Sequence, residues 1–158
     1  MSEDKNFLLQ IVTPLRTVFS GQVESLIVPA HEGFLGVMAH HSPLVALLKP
    51  GPIWVRKSER PGLPAGAGEE IVSSRKEEVF ACSGGILEVR ENVATLLVDA
   101  VERAEDIDIP RAERAFQRAR ERLKSRDPSI DRERAERAYL RALTRLKVAK
   151  KEVFRFEE

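Results

Sequence analysis

From Phe7 to about Val101 the chain is a succession of short apolar runs separated by turn residues. "FLLQIVTP", "QVESLIVPA", "GFLGVM", "PIWVRK", "EEVFACS", "GILEVR" and "NVATLLVDA" are rich in Val, Ile, Leu and Phe, and Pro or Gly stands in most of the gaps. Such runs are too short for helices and have the composition of strands. Strands this short and this closely spaced predict a sandwich or barrel of roughly 8 to 10 strands. One gap differs from the others: "SERPGLPAGAGEE", from Ser58 to Glu70, collects glycine, proline and polar residues and reads as an exposed excursion between two strands.

After Asp108 the apolar period changes from two to 3.6. Ala112, Ala115, Phe116, Ala119 and Leu123 recur at helical spacing, and Ala135, Ala138, Tyr139, Ala142 and Leu146 repeat them. The segments "IDIPRAERAFQRARERL" and "IDRERAERAYLRALTRL" begin 23 residues apart and share eleven of seventeen residues without a gap. Each predicts one amphipathic helix. Asp108 and Asp131 stand where an N-cap carboxylate accepts the first unpaired amide protons, and Pro110 falls in the first turn, which needs no donor. "RDPS" then breaks the helix, so the two pieces are expected to fold back as an antiparallel hairpin along an alanine-rich seam.

Charge divides the chain in the same place. Residues 1–100 carry nine basic and twelve acidic side chains, whereas residues 109–155 carry sixteen basic and seven acidic ones. The near-neutral total therefore hides a basic C-terminal region, which points to an anionic partner: nucleotide, nucleic acid, membrane or an acidic protein surface. The opening "MSEDKNFLLQ" lacks the pattern of a signal peptide, and no apolar stretch approaches the roughly 20 residues of a membrane span. A soluble protein inside the cell is expected. The single cysteine, Cys82, rules out an internal disulfide framework and fits a reducing compartment.

At 100° per residue Arg111, Arg118 and Arg122 fall within about 40° of one another, and Arg134, Arg141 and Arg145 repeat that stripe. In an antiparallel hairpin both stripes end on one broad face. The guanidinium group stays charged and offers forked donors to phosphate oxygens, so the face is a candidate anion site. The plain alternative is that these arginines are solvated or paired with Glu113, Glu121, Glu133 and Glu136, each such pair contributing only about 0.3–0.5 kcal/mol. Phe116 and Tyr139 fall on the apolar side, which argues against stacking of single-stranded bases. Elsewhere the signals are structural. Adjacent His40 and His41 diverge and lack the partners of a metal site, "CSGG" at Cys82 reads as a bulge or tight turn, and Trp54 reads as a core or seam residue. No nucleophile, base and oxyanion site assembles, so the chain is not expected to be an enzyme.

Taken together, "TPLRTVFSGQVESLIVPAHEGFLGVMAHHSPLVALLKPG", "SGGILEVRENVATLLVDAVERAEDIDIPRA" and the repeated helices resemble the epsilon subunit of the bacterial rotary (F-type) ATP synthase. Two departures stand out. The family usually has Pro-Gly-His where this chain has Ala39-His40-His41, and the Ser58 to Glu70 segment is longer than usual. The resemblance implies an α+β protein: an N-terminal β-sandwich of about ten short strands (residues 1–101), then a C-terminal antiparallel two-helix hairpin (residues 102–158).

The same resemblance implies a non-catalytic rotor subunit of a proton-translocating synthase, peripheral on the cytoplasmic face of the bacterial plasma membrane and bound to it only through the complex. The sandwich would dock on the gamma subunit and touch the c-ring, with His31, Glu32, Gly33 and Phe34, together with His41, at the ring-facing end. The hairpin would be mobile. Folded, it lies on the sandwich; extended, as a helix of about 45 residues reaching on the order of 70 Å, it contacts the catalytic alpha and beta subunits and inhibits ATP hydrolysis. Some members bind ATP through Ile-Asp-x-x-Arg-Ala, which Ile107, Asp108, Arg111 and Ala112 match, with Glu102, Arg118, Arg141 and Arg145 as the associated positions. ATP is then a regulatory ligand, no cofactor or metal is required, and nucleic acid is not the expected partner. A rotor subunit without ATP sensing, or a basic hairpin that binds nucleic acid, are the alternative readings.

Overall fold

The structure is a computed structural model and describes residues 5–58 and 77–152. The described residues form nine strands, one 3-10 turn and two helices. In chain order these are β1 (Phe7–Val12), β2 (Thr17–Ala30), β3 (Gly33–Met38), β4 (Leu44–Leu48), β5 (Gly51–Lys57), β6 (Glu77–Cys82), β7 (Gly85–Arg90), β8 (Val93–Val98) and β9 (Val101–Arg103). The 3-10 turn Ala104–Asp106, α1 (Ile109–Lys124) and α2 (Arg132–Ala149) follow. From Glu59 onward, the Ser58 to Glu70 excursion lies outside the described residues.

Alternation along the strands builds the core. In β1, Phe7, Leu9 and Ile11 point inward and are buried, while Leu8, Gln10 and Val12 between them are only half-buried. Val23, Leu26 and Val28 of β2, Ile53 and Val55 of β5, Phe80 of β6 and Leu87, Val89, Leu96 and Val98 of β7 and β8 fill the same interior. Strand order is β1-β8-β7-β4-β2-β5-β6-β9, with β3 added to β2 and a further pairing of β1 with β2. β1 runs parallel to β8, while every other pairing is antiparallel. The long β2 makes this possible. Its first half pairs with β1 and its second half with β3 and β5, so it belongs to both layers of the sandwich.

Two features of the surface matter below. On the outer face of the β4-β7-β8 layer, Leu47 pairs with Ile86 and Ile86 with Leu97, giving a cross-strand apolar row with exposures of 61%, 39% and 49%. On the other side α2 packs against β5, β6 and β9, where Ala81, Ile107 and Val148 form a small apolar cluster separate from the main core. The sheet ends at Arg103, two positions beyond the expected boundary at Val101, because β9 is held as an edge strand by β6, with Ala81 opposite Glu102 and Phe80 opposite Arg103. The Arg103 guanidinium lies over the Phe80 ring and 3.2 Å from Glu78, which also meets Lys57 at 3.1 Å.

The helices are an antiparallel pair. The Phe116 and Tyr139 rings lie 5.0 Å apart across the seam, and Ala112, Ala119, Ala135 and Ala142 are buried along it. Both sequence repeats are capped alike: Asp108 Oδ1 accepts from the Arg111 amide and Asp131 Oδ1 from the Arg134 amide, each at 3.1 Å. In the connection, Ser125 Oγ accepts from the Asp127 amide and Asp127 Oδ1 from the Ser129 amide. Arg132 reaches back and donates to the carbonyls of Leu123 and Ser125, two of the acceptors left open at the end of α1.

Candidate functional site

Where the hairpin meets the edge of the sheet, a cleft of about 430 Å³ is lined by Glu102 of β9, Asp106 of the 3-10 turn, Asp108, Arg111, Ala112, Ala115 and Arg118 of the first helix and its cap, and Arg145 of α2. Each position has a local cause. Glu102 is fixed by the β6-β9 ladder, and Asp108 by its duty as N-cap, which anchors the start of α1 over the cleft. Ala112 and Ala115 leave room that larger side chains would fill. The carboxylate of Glu102 accepts from Arg145 Nε at 2.9 Å, joining strand to second helix; both side chains are about 30% exposed. A half-exposed pair of this kind contributes at most about 1 kcal/mol and yields readily to a stronger anion.

The cleft continues into a second, smaller well of about 220 Å³, lined by Ala115, Arg118, Ala119 and Arg122 of α1 and Ala138, Arg141, Ala142 and Arg145 of α2. Ala115, Arg118 and Arg145 line both spaces. The two compartments differ in charge. The cleft brings three carboxylates and three guanidinium groups together, while the well holds four guanidinium groups and no carboxylate. Among the described residues, none of the stripe arginines forms an ion pair with Glu113, Glu121, Glu133 or Glu136. Glu113 instead meets Lys150 at 3.5 Å, and Arg145 meets Glu102.

Of the residues expected in the site, Glu102, Asp108, Arg111, Ala112, Arg118 and Arg145 line the cleft, and Arg141 lines the adjoining well. Ile107 does not line either space. Its side chain is buried with Ala81 and Val148, so it anchors the hairpin to the sheet. Asp106 was not among the expected residues; the acidic run "EDID" was its only signal, and its direction depends on the 3-10 turn. Arg134, the repeat counterpart of Arg111, lines neither space; it stands in the first turn of α2, at the hinge end of the hairpin, away from Glu102.

The second expected group is not one cluster. His31 and Glu32 form the tight turn between β2 and β3, Gly33 has φ 131°, and Phe34 meets the Trp54 ring edge-on at 5.3 Å. His41 lies beyond Met38, past the far end of β3, where its amide donates to Met38. His41 is therefore set apart from the His31 to Phe34 turn with which it was expected to group: the last four residues of β3, Leu35 to Met38, and then Ala39 and His40 stand between them. In the departure Ala39-His40-His41, His40 takes φ 60° where the family's glycine would stand, and its amide donates to Asn92 Oδ1 at 2.8 Å. "CSGG" is a tight connection of β6 to β7, with the Ser83 amide and hydroxyl both donating to Ala100.

The fold is similar to that of a chain in the structure of the Euglena gracilis mitochondrial ATP synthase, OSCP/F1/c-ring, in rotational state 1. The match has a TM-score of 0.72 at 22% identity and covers 95% of this chain and 84% of the other, and it speaks for the fold. Sequence carries the assignment further. Residues 6–62 match the model of the ATP synthase delta/epsilon chain β-sandwich domain, and residues 105–150 that of the delta/epsilon chain long α-helix domain. The chain is 37% identical to the ATP synthase epsilon chain of Latilactobacillus sakei over 78% of its length and 76% of the relative's, and 44% identical to that of Pelotomaculum thermopropionicum over 76% and 78%. The chain belongs to the family of ATP synthase epsilon chains. No helix among the described residues is long and apolar enough to cross a membrane.

Proposed function

We propose that this epsilon chain is a non-catalytic rotor subunit whose hairpin is a nucleotide-biased switch. In this reading the sandwich docks on the gamma subunit through the apolar row of Leu47, Ile86 and Leu97. The His31 to Phe34 turn faces the c-ring, and the hairpin alternates between the folded form and an extended form. The extended form meets the catalytic alpha and beta subunits and inhibits ATP hydrolysis. The assembly sits on the cytoplasmic face of the bacterial plasma membrane and moves protons.

One observation carries the reading: Glu102 of the sheet, Arg111 and Arg118 of α1 and Arg145 of α2 meet around one cleft, with Arg141 in its extension. A ligand that touches all three elements exists only on the folded hairpin, because opening separates them. The arginines would hold the phosphates of ATP, while Glu102, Asp106 and Asp108 take the ribose and base. A tenfold preference of ATP for the folded form is worth about 1.4 kcal/mol, enough to move two populations that begin near balance. High ATP would then withdraw the inhibitory arm, with ATP acting as signal and not substrate.

The test is calorimetric titration of the full chain with ATP beside Arg111→Ala, Arg118→Ala, Arg141→Ala and Arg145→Ala. Saturation near one ATP per chain, weakened by substitutions on both helices and without phosphate release, supports the switch. Absence of binding at millimolar ATP would remove nucleotide sensing and leave the arginines as contacts for partner subunits. Stoichiometric hydrolysis that depends on one of these arginines would make ATP a substrate.

A further inference from the structure

The second helix ends where its sequence gives it no reason to stop. From Lys147 onward the chain contains neither glycine nor proline, yet α2 closes at Ala149. Lys151 takes φ 56°, its amide donates to the Val148 carbonyl at 3.2 Å, and the Glu152 amide donates to the Lys147 carbonyl at 2.9 Å. This is the left-handed, helix-ending turn that glycine ordinarily makes, and a residue with a side chain takes it at a cost that a continued helix would not carry. An interaction made beyond the turn would offset that cost. The residues that follow are "VFRFEE", Val153 to Glu158, which lie outside the described residues.

Beside that exit lies a groove of about 710 Å³ that shares only Arg118 with the cleft and the well. It runs along α1 from Pro110 to Glu121, about 16 Å of helix rise, and Lys150 lines it where α2 ends. Phe116 and Leu146 supply apolar surface, since the packing of the two helices leaves both only half-buried. Lys150 meets Glu113 at 3.5 Å, so the chain leaves α2 next to the start of α1. Six extended residues reach up to about 20 Å, enough to follow the groove along its length. In an extended segment Phe154 and Phe156 fall on one side, and Val153, Arg155 and Glu157 on the other. Charge agrees with this fit. With Lys150 and Glu113 paired, Arg114, Arg118 and Glu121 leave the groove net positive, while Arg155, Glu157 and Glu158 make the segment net negative.

We propose that residues 153–158 dock in this groove as a strap, with the rings of Phe154 and Phe156 covering Phe116 and Leu146. The strap crosses from the end of α2 onto α1, so it holds the two helices together and is stripped away whenever they part. The folded hairpin is then latched by its own chain with no ligand bound. The proposal rests on the mobile hairpin of the reading above and uses none of its nucleotide contacts.

The test has two arms, both on the nucleotide-free full chain. In the first, p-benzoylphenylalanine replaces Phe156, and the products of illumination are mapped by mass spectrometry. Most cross-links should fall between Pro110 and Glu121 of the same chain. Cross-links mainly to β5 or β6, between two copies, or spread without preference would overturn the proposal. In the second, native-state hydrogen exchange compares the parent protein with the double variant Phe154→Ala, Phe156→Ala and with Val153→Ala. Amides of both helices should exchange at least tenfold faster in the double variant, while those of β1, β2 and β8 stay as in the parent. Val153→Ala, on the other side of the segment, should change helix exchange less than twofold. Unchanged helix exchange in the double variant would deny the strap any hold on the hairpin, and a Val153→Ala effect equal to that of the double variant would deny the docked face. Because no nucleotide is present, either failure leaves the ATP switch to its own titration.

Discussion

Cys82 is buried in the main core, and that burial pushes its thiol up from 9.0 to about 11. The native state therefore holds the proton more tightly than the unfolded chain does. Stability is unaffected below pH 9, then falls as pH rises from about 9 toward 11, because the unfolded thiol ionises first. Comparing urea midpoints at pH 8 and pH 10.5, the parent protein should lose more than Cys82→Ala; equal losses would show that the thiol is not the cause. Two other residues are set by backbone conformation. A Cβ at Gly85, which has φ 155°, would stand 2.2 Å from the Leu97 carbonyl oxygen, so Gly85→Ala should destabilise by more than about 3 kcal/mol or prevent folding. His40 holds φ 60° without being glycine. His40→Gly should stay within about 1 kcal/mol of the parent, relief of strain offsetting added chain entropy, while β-branched His40→Val should lose more than about 1 kcal/mol in urea melts. An unchanged His40→Val protein would mean that the turn relaxes into another conformation.

The helices were the most legible elements because their information is local. Period, repeat and caps all lie within a few residues of one another, and Asp108 and Asp131 cap as their spacing indicates. β9 was harder to read. "VER" has no strand pattern of its own and is a strand only because β6 offers an edge, which is why the boundary moved and why Asp106 was missed. The same limit applies to His41, since a run of residues does not say at which end of a strand a turn will lie. The connection between the helices adds a constraint. Pro128 inside a helix would lack its donor and clash with the carbonyl four residues back, at about 3 kcal/mol. An opened arm would therefore keep a break there and reach as two rods, shorter than the single helix of about 45 residues expected from the sequence. Arg132, which caps the end of α1, should contribute about 0.5–1.5 kcal/mol to the closed turn. Arg132→Ala should fray Leu123 to Ser125 in amide exchange with little effect on α2; an unchanged exchange rate there would deny it a capping role.

For the whole molecule, the outer face of the β4-β7-β8 layer and the hairpin edge point in different directions, so docking and sensing can be tested separately. Ile86→Glu places a charge in the middle of the Leu47, Ile86, Leu97 row on a side chain already 39% exposed. It should leave the melting temperature within a few degrees and weaken co-purification with the gamma subunit at least tenfold, while ATP titrations stay as in the parent. Retained co-purification would move the interface to another face. Alternation made the core residues readable, whereas the outer row of Leu47, Ile86 and Leu97 became visible only with the strand pairing of the folded sheet.

The small cluster at the base of the hairpin has a further consequence. Among the described residues the main core holds nineteen buried side chains, while the cluster at the hairpin base holds three, Ala81, Ile107 and Val148, with Val79, Ala104 and Ala149 partly buried around them. Full burial of a Val or Ile contributes only about 1.5–3 kcal/mol, and alanine less. The hairpin should thus be a foldon of its own. In native-state hydrogen exchange the amides of both helices should open together at a free energy well below the global value, while those of β1, β2 and β8 exchange only on complete unfolding. The arm would then come loose many times for each time the sandwich melts.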